Sequence, residues 1–222
     1  MGSVLGALAE LLVGATCPGC GADSWRLCER CGGFLSAGAP HAVDAGLGVP
    51  AFAASEYQGV VQKCLGAYKE RHARHLVGEL GPMLAGAVAA ASLGVGALPL
   101  VLTPLPSMPA SVRERGDDVV ARLARSASTR LRAEGIPVMV ETALRHTRRV
   151  ADQAGLGIAQ RQRNLAGSLV ARPRVAGTRI VVDDVITTGS SVREAVRALR
   201  AAGVEVGGAA VVAYTPRLGR RR

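Results

Sequence analysis

The sequence predicts an α/β protein in which a parallel sheet is flanked by helices and preceded by a small four-cysteine module. Hydrophobic residues make up 49% of the 222 residues but aromatic residues only 3%. This composition favours helices packed on a Val/Ile-rich sheet over an aromatic β-sandwich. From residue 98 onward, short apolar segments alternate with helical patterns, an order typical of a parallel sheet covered on both faces.

Composition divides the chain into three regions. Residues 1–35 combine a helical pattern of leucines with four of the five cysteines, and we predict a helix and a cysteine module there. Residues 36–56 are rich in Gly, Ala and Pro and are predicted to be a connector. Residues 57–222 are predicted to form the main domain, because hydrophobic periodicity begins near Tyr57.

The main domain is predicted to begin with two helices. Apolar residues from Val60 to Tyr68 recur at helical spacing, and residues 75–92 continue as a second helix that we expect Gly81-Pro82 to interrupt. Further helices are predicted over 117–135 and 191–203, the latter with three arginines pointing outward, Arg193, Arg197 and Arg200. The predicted strands of a five-stranded parallel core are 98–106, 136–141, 168–172, 177–184 and 204–215.

The segment "VVDDVITTGSS" (181–191) indicates a ligand site at the end of a strand. Open parallel sheets bind ligands at the carboxyl ends of their strands, and the free N–H groups at a helix N-terminus favour phosphate. Gly189 permits close approach of the backbone, and neighbouring hydroxyl groups can donate to phosphate oxygens. Asp183 and Asp184 would repel phosphate but could accept hydrogen bonds from a ribose diol. The segment therefore predicts a sugar-phosphate site.

An alternative is an N-capped helix after a strand, with Asp183-Asp184 as turn residues. This accounts for a serine at the cap but not for two carboxylates at the edge of an apolar strand. The two common glycine-rich nucleotide-binding motifs are absent from the sequence.

The longer segment "IVVDDVITTGSSV" resembles the phosphoribosyl-pyrophosphate (PRPP) signature of type I phosphoribosyltransferases. The resemblance implies that Asp183 and Asp184 hold the ribose 2- and 3-hydroxyls. It implies a 5-phosphate cradle formed by Val185, Ile186, Thr187, Thr188, Gly189, Ser190 and Ser191. Purine-salvage relatives carry an acidic base where this chain has Thr187, and a threonine hydroxyl is no general base near neutral pH. A purine acceptor is therefore disfavoured.

Two basic segments could neutralise the pyrophosphate that leaves in this reaction class, together with Mg²⁺. Residues 103–118 follow the first predicted strand of the sheet and supply Arg113 and Arg115. Residues 144–164 suit a mobile flap, with four candidate side chains, Arg145, His146, Arg148 and Arg149. Of these we assign catalytic roles to Arg145 and Arg148. The alternative for each single arginine is an ordinary solvated surface charge.

The segments "YQGVVQKCLGAYK", "PLPSMPASVRERG", "QAGL", "RQRNLAG" and the PRPP signature occur in the order seen in ComF-type competence-associated phosphoribosyltransferases. The positions that match this pattern are Lys69, Arg113, Arg115, Arg145, Gln153, Leu156, Arg161 and Asn164. The chain departs from it at Asp117-Asp118, where Asn-Gln is usual, and at Ile158, where arginine is common. The resemblance implies PRPP as substrate, an unidentified acceptor, and DNA-uptake or recombination proteins as partners.

Four cysteines, Cys17, Cys20, Cys28 and Cys31, have the spacing C-x₂-C-x₇-C-x₂-C. Two such knuckles can set four thiolates around Zn²⁺, and glycines ease their turns. A closed Cys₄ site stabilises structure and does not catalyse. Redox-active disulfides are the alternative. The ComF-type family that the chain resembles carries a zinc-binding module at this position, so the resemblance implies zinc. Cys64 lies on an apolar helical stripe and is interpreted as a core residue.

The net charge of +10 comes almost entirely from arginine, because Lys63 and Lys69 are the only lysines. No stretch reaches the roughly 18 apolar residues of a membrane span, and the N-terminus lacks a basic signal region, so we expect a cytoplasmic protein without membrane contact. Two rival functions stay open: a catalytically silent PRPP-binding sensor or docking protein, and a nucleic-acid-binding protein that rests on charge alone. A homodimer also stays open.

Overall fold

The structure is a computed structural model that describes residues 16–70, 73–95, 99–147 and 167–216. Its helices are Glu29–Ser36 (α1), Gly59–Glu70 (α2), Val77–Ser92 (α3), Pro109–Arg115 (α4), Val119–Ala133 (α5) and Ser190–Ala201 (α6), with a 3₁₀ turn at Arg74–Leu76. Its strands are His41–Ala42 (β1), Ala51–Glu56 (β2), Leu100–Pro104 (β3), Val138–Val140 (β4), Leu144–His146 (β5), Leu169–Ala171 (β6), Thr178–Ile186 (β7) and Val206–Tyr214 (β8). Within these ranges, no helix is both long enough and apolar enough to cross a bilayer.

Six strands form one sheet in the order β1-β2-β8-β7-β3-β4. Only the edge strand β1 is antiparallel to its neighbour, and the other five strands are parallel. Strands β5 and β6 pair antiparallel in a separate two-stranded sheet. The predicted fold class, a mostly parallel sheet flanked by helices, is confirmed, and the parallel core has the expected five strands.

The membership of the core differs from the prediction at one strand. Residues 168–172 were expected in the parallel core, but β6 lies in the small antiparallel sheet, where it buries only alternate residues. The fifth parallel strand is instead β2, inside the predicted connector, and it pairs with β8. Alanine has a low strand propensity, so the sequence "AFAASE" carries no strand signal. Its burial beside β8 decides its conformation.

Each face of the sheet is covered by its own core. Along β7, Ile180 and Val182 face the core under α2, α3 and α5, whereas Val181 faces the core under α6. This alternation follows from the two-residue period of a strand. The short helix α1, which ends the cysteine module, packs against α2 and α3.

Helix α3 is continuous, so the predicted interruption at Gly81-Pro82 is wrong. Pro82 lies in the second turn, where its missing N–H removes a single intrahelical hydrogen bond. Gly81 is needed for packing instead, because a Cβ there would lie 2.0 Å from the Ser126 hydroxyl oxygen on α5. The glycine therefore lets α3 and α5 approach each other closely.

Candidate functional site

The two aspartates of the signature lie near the carboxyl end of β7, between β3 and β8. Asp184 is buried, with 3% of its surface exposed, whereas Asp183 is half-buried. The Lys69 ammonium at the end of α2 forms an ion pair with Asp184 Oδ2. The structure therefore joins the acidic pair to a lysine more than one hundred residues earlier in the chain.

The ionisation of these groups reflects their burial. Burial raises the pKa of Asp183 to about 7 from an ordinary 3.8, against the lowering effect of Lys69 and with a further rise from Asp118. Burial also lowers the pKa of the Lys69 ammonium, and the Asp183 carboxylate opposes that change. The site thus holds a carboxyl group that titrates near neutral pH.

The loop after β7 leads into α6 at a glycine. Gly189 has a φ of 72°, which glycine adopts without strain, and it is the N-terminal cap of α6. Thr187 and Ser191 line a cleft together with Val185. Ile186 is buried in the core under α6, and Ser190 is buried with its hydroxyl 2.9 Å from that of Thr188. Of the predicted cradle, the loop therefore presents the side chains of positions 185, 187 and 191 to the cleft.

The segment after β3 forms the opposite wall of this cleft. Ser107, Met108, Ser111 and Arg115 line it, because α4 begins at Pro109 and carries the segment along the edge of the sheet. The Arg113 side chain is exposed and does not line the cleft. The arginine pair of the prediction is thus divided, with Arg115 inside the cleft and Arg113 outside it.

The Asp117-Asp118 pair, where this chain departs from the ComF pattern, has structural partners. Asp118 caps α5 by accepting hydrogen bonds from the backbone N–H groups of residues 120 and 121. It also accepts from the Ser107 backbone N–H at 3.1 Å and from the Ser107 hydroxyl at 2.9 Å. Asp117 forms an ion pair with Arg122. These carboxylates therefore fix the cleft wall to helix α5.

The cleft has a volume of about 420 Å³. Its charged lining consists of two carboxylates, one ammonium and one guanidinium, and its polar lining adds the hydroxyl groups of positions 107, 111, 187 and 191. Tyr57 also lines the cleft. Carboxylates that can accept hydrogen bonds from a ligand's hydroxyl groups, and cations that can donate to its phosphates, thus face one space. This arrangement suits a polyanion that carries a diol.

Of the predicted flap, residues 144–164, the structure describes only residues 144–147. Arg145 lies on β5 with an exposed side chain, and it does not line the cleft. His146 Nε2 lies 3.2 Å from the Pro106 carbonyl oxygen, next to the cleft wall. Arg148, Arg149, Gln153, Leu156, Arg161 and Asn164 lie outside the described residues.

Strand β6, which pairs with β5, is held by α6. The buried Glu194 accepts from the Leu169 backbone N–H at 3.0 Å and pairs with Arg197. Despite burial, which acts in the opposite direction, the donors from Arg197 and from the backbone of Leu169 and Gly167 lower the pKa of Glu194. Helix α6, which follows the loop at 187–189, is thus also bonded to β6.

The four cysteines lie together near the start of the described chain. Their sulfur atoms are all within 4.8 Å of one another, and those of Cys20 and Cys28 are 3.7 Å apart. Sulfur atoms at about 2.3 Å around a tetrahedral ion would be about 3.8 Å apart. Gly19 is required beside them, because a Cβ there would lie 2.8 Å from the Cys31 sulfur.

The protonation of the thiols differs within the group. Burial raises the pKa of Cys17, but the backbone N–H donors of Cys28, Cys20 and Gly19 outweigh it and lower that pKa to about 6. Burial and the neighbouring thiols raise the pKa of Cys31. Binding of a metal ion by these side chains would require their thiols to be deprotonated.

Several residues of the cleft and its surroundings were not predicted from the sequence. Ser107 and Ser111 follow a buried strand, and their position at the edge of a parallel sheet could have indicated them. Lys69 matched a family pattern, but nothing in the sequence predicted its contact with Asp184. Arg193 was predicted to point into solvent, yet it is half-buried and donates to the Thr188 carbonyl oxygen at 3.0 Å.

Comparison with known proteins agrees with this geometry. Residues 119–221 match the family model described as "Phosphoribosyl transferase domain". The chain is 66% identical over 35 residues to an orotate phosphoribosyltransferase of Nocardioides sp., an alignment that covers 15% of this chain and 20% of that protein. It is 37% identical over 76 residues to an orotate phosphoribosyltransferase of Chromobacterium violaceum, covering 28% of this chain and 35% of that protein. The similarity to phosphoribosyl transferases is thus limited to part of the chain, and both alignments span about a third or less of the length of each relative.

Proposed function

We propose that the protein is a ComF-like phosphoribosyltransferase that binds PRPP in this cleft and displaces Mg-pyrophosphate with an unidentified acceptor. The observation that supports it is the convergence of the Asp183-Asp184 pair, the loop at 187–191 and Arg115 on one cleft. The domain match over residues 119–221 supports the same substrate.

In this proposal the ribose lies over the end of β7. Asp183 and Asp184 accept hydrogen bonds from its 2- and 3-hydroxyls, which requires their ionised forms. The backbone N–H groups from Val185 to Ser191 and the N-terminus of α6 bind the 5-phosphate. The Asp184 carboxylate is already paired with the Lys69 ammonium before the substrate arrives.

The pyrophosphate then lies against the α4 wall. Arg115, which lines the cleft, contacts its oxygens. Arg113 and the flap residues Arg145 and Arg148 are the further cations. Bond cleavage at the anomeric carbon transfers an electron pair to the pyrophosphate oxygen, so cationic side chains stabilise the developing charge. Mg²⁺ bound to the pyrophosphate would neutralise further negative charge, and carboxylate oxygens are ligands that suit this ion.

For the cysteine module we propose a structural zinc ion held by Cys17, Cys20, Cys28 and Cys31. The spacing of the sulfur atoms supports a tetrahedral ion, and four thiolate ligands favour zinc over Mg²⁺ or Ca²⁺. A site closed by four protein ligands has no position for a substrate. The ion would therefore stabilise the module and its packing against α2 and α3.

The first experiment measures the melting temperature with Mg²⁺ and saturating PRPP for wild type and the double variant Asp183→Asn/Asp184→Asn. PRPP at about 100 times its dissociation constant adds roughly 2.7 kcal/mol, or roughly 5–10 °C at this chain length. The shift should vanish in the double variant and persist in Glu205→Gln, an exposed carboxylate at the opposite end of the sheet. An unshifted wild type would contradict the proposal.

A second experiment separates the two arginines of α4. Arg115→Gln should weaken binding of Mg-pyrophosphate by about tenfold, the effect of losing one charge-assisted hydrogen bond. The matched variant Arg113→Gln, two residues away and exposed, should have a smaller effect. Equal effects would contradict the placement of pyrophosphate inside the cleft.

A catalytically silent PRPP sensor is the second candidate, linked in the resembled family to DNA uptake or recombination. It is favoured by Thr187, which faces the cleft without an acidic group for the acceptor. Release of pyrophosphate in the presence of acceptors, beginning with orotate, would establish the enzyme. Binding of PRPP without turnover of any acceptor would establish the sensor.

A further inference from the structure

Residues 43–48, which we call the strap, form a loop between β1 and the core strand β2. Val43, Ala45 and Leu47 are buried, whereas the other three residues of the strap are exposed. Connecting loops usually run over the surface, so this alternation shows that one side of the strap packs closely against the protein. The buried side belongs to the core under α6.

The strap packs against the back of the loop that follows β7. A Cβ at Gly189 would lie 2.7 Å from Leu47 Cδ2 and 3.2 Å from the Ala45 carbonyl oxygen. Only glycine therefore fits at the point where strap and loop meet. Thr187 and Ser191 face the cleft on the other side of the loop.

One arginine joins the two segments. Arg193 Nη1 donates to the Ala45 carbonyl oxygen at 2.9 Å. Its Nη2 donates to the Thr188 carbonyl oxygen at 3.0 Å and to the Ser190 hydroxyl at 3.2 Å. Arg193 does not line the cleft, so it acts on a ligand only through the loop.

Two more side chains hold the strap from the protein side. Arg200 Nη2 donates to the Gly48 carbonyl oxygen at 3.0 Å, and the Tyr214 hydroxyl donates to the Asp44 carbonyl oxygen at 3.1 Å. The strap is thus fixed to α6 and to β8. It provides a rigid support for Arg193 and not a mobile cover.

We propose that Arg193, supported by the strap, is a positioning residue that holds the loop at 187–191 in its phosphate-binding conformation. A glycine-containing loop loses conformational entropy when its N–H groups converge on a phosphate. A loop held beforehand avoids part of this cost. The planar guanidinium fork spans acceptors on both segments, which a lysine ammonium cannot do. This inference rests on the proposed PRPP site.

The test compares ribose 5-phosphate and Mg-pyrophosphate as separate probes, by calorimetric titration of the full chain. In Arg193→Gln we expect ribose 5-phosphate to bind about tenfold more weakly, the loss of a charge-assisted hydrogen bond, while binding of Mg-pyrophosphate changes less than about twofold. Arg193→Lys keeps the charge but loses the fork, so it should also weaken ribose 5-phosphate selectively. Arg130→Gln, an arginine in an exposed ion pair on α5, is the matched control and should bind both probes normally.

Leu47→Ala tests the strap from the other side and keeps the inference testable if Arg193→Gln does not fold. It should also weaken ribose 5-phosphate selectively, because the strap then supports Gly189 less firmly. Unchanged ribose 5-phosphate binding in Arg193→Lys and Leu47→Ala, or equal weakening of both probes, would overturn the inference. Wild-type protein that binds neither ribose 5-phosphate nor PRPP would refute the proposed function itself.

Discussion

The buried ion pair between Arg179 and Glu141 provides the sharpest test of what holds the acidic strand in place. Arg179 is fully buried near the start of β7, and its Nη1 lies 2.5 Å from Glu141 Oε2. Its Nη2 donates to the Val175 carbonyl oxygen at 2.6 Å, and Glu141 Oε1 accepts from the Arg174 backbone N–H at 2.6 Å. Glu141→Gln leaves this guanidinium buried without its counter-charge.

Removing one partner of a buried pair typically costs about 3–5 kcal/mol of unfolding free energy. Because 12% of the Glu141 side chain is exposed, water can partly compensate, and we expect a value near the lower end, about 3 kcal/mol. At about 2–4 °C per kcal/mol for a chain of this length, the melting temperature should fall by roughly 6–12 °C. Thermal unfolding followed by circular dichroism, without ligand, measures this directly.

The matched control is Glu134→Gln, which breaks an exposed ion pair with Arg130. The Arg130 side chain is 60% exposed and the Glu134 side chain 44% exposed. Exposed pairs contribute about 0–1 kcal/mol, so its melting temperature should change by less than about 4 °C. Replacing both buried partners, as in Arg179→Met/Glu141→Leu, should recover part of the loss, because no unpaired charge remains. Equal effects of Glu141→Gln and Glu134→Gln would refute this reasoning.

Three further predictions concern the metal module, the cleft wall and the acidic pair. We expect elemental analysis to find one zinc ion per chain in the wild type and none in Cys20→Ala. Cys64→Ala, a substitution in the core outside the four-cysteine group, should retain the zinc ion. Retention of zinc in both variants would contradict a Cys₄ site. Asp118→Ala removes the cap of α5 and both hydrogen bonds to Ser107. The unfolding free energy, measured by urea denaturation, should therefore fall by about 1–2 kcal/mol. A fall of less than about 0.5 kcal/mol would show that the cap is dispensable. The pKa of Asp183 is raised to about 7 in the folded protein, so the native state binds the proton more tightly and loses stability as the pH rises from about 4 to about 7. Asp183→Asn should flatten this decline of the melting temperature with pH. An unchanged pH profile of the melting temperature would count against the raised pKa of Asp183.

Local signals in the sequence were sufficient where neighbouring residues decide the structure. The alternation of strands and helices predicted the fold class, because the period of hydrophobic residues depends on backbone geometry alone. The strand that carries Asp183, the loop at 187–191 and helix α6 are contiguous in the chain, so their order could be predicted as one unit. The four cysteines could likewise be recognised by their spacing.

The sequence by itself therefore determined the chemistry of the candidate site, its acidic pair and hydroxyl-rich loop, and the metal-type cysteine module. The tertiary structure alone decided that Lys69 pairs with Asp184, that Arg115 but not Arg113 faces the cleft, and that an alanine-rich segment becomes a core strand. It also decided that the Arg193 side chain, predicted to face solvent, contacts the strap. These contacts join residues far apart in the chain, and their existence depends on which surfaces the packing of helices on the sheet brings together, a property that no local pattern records.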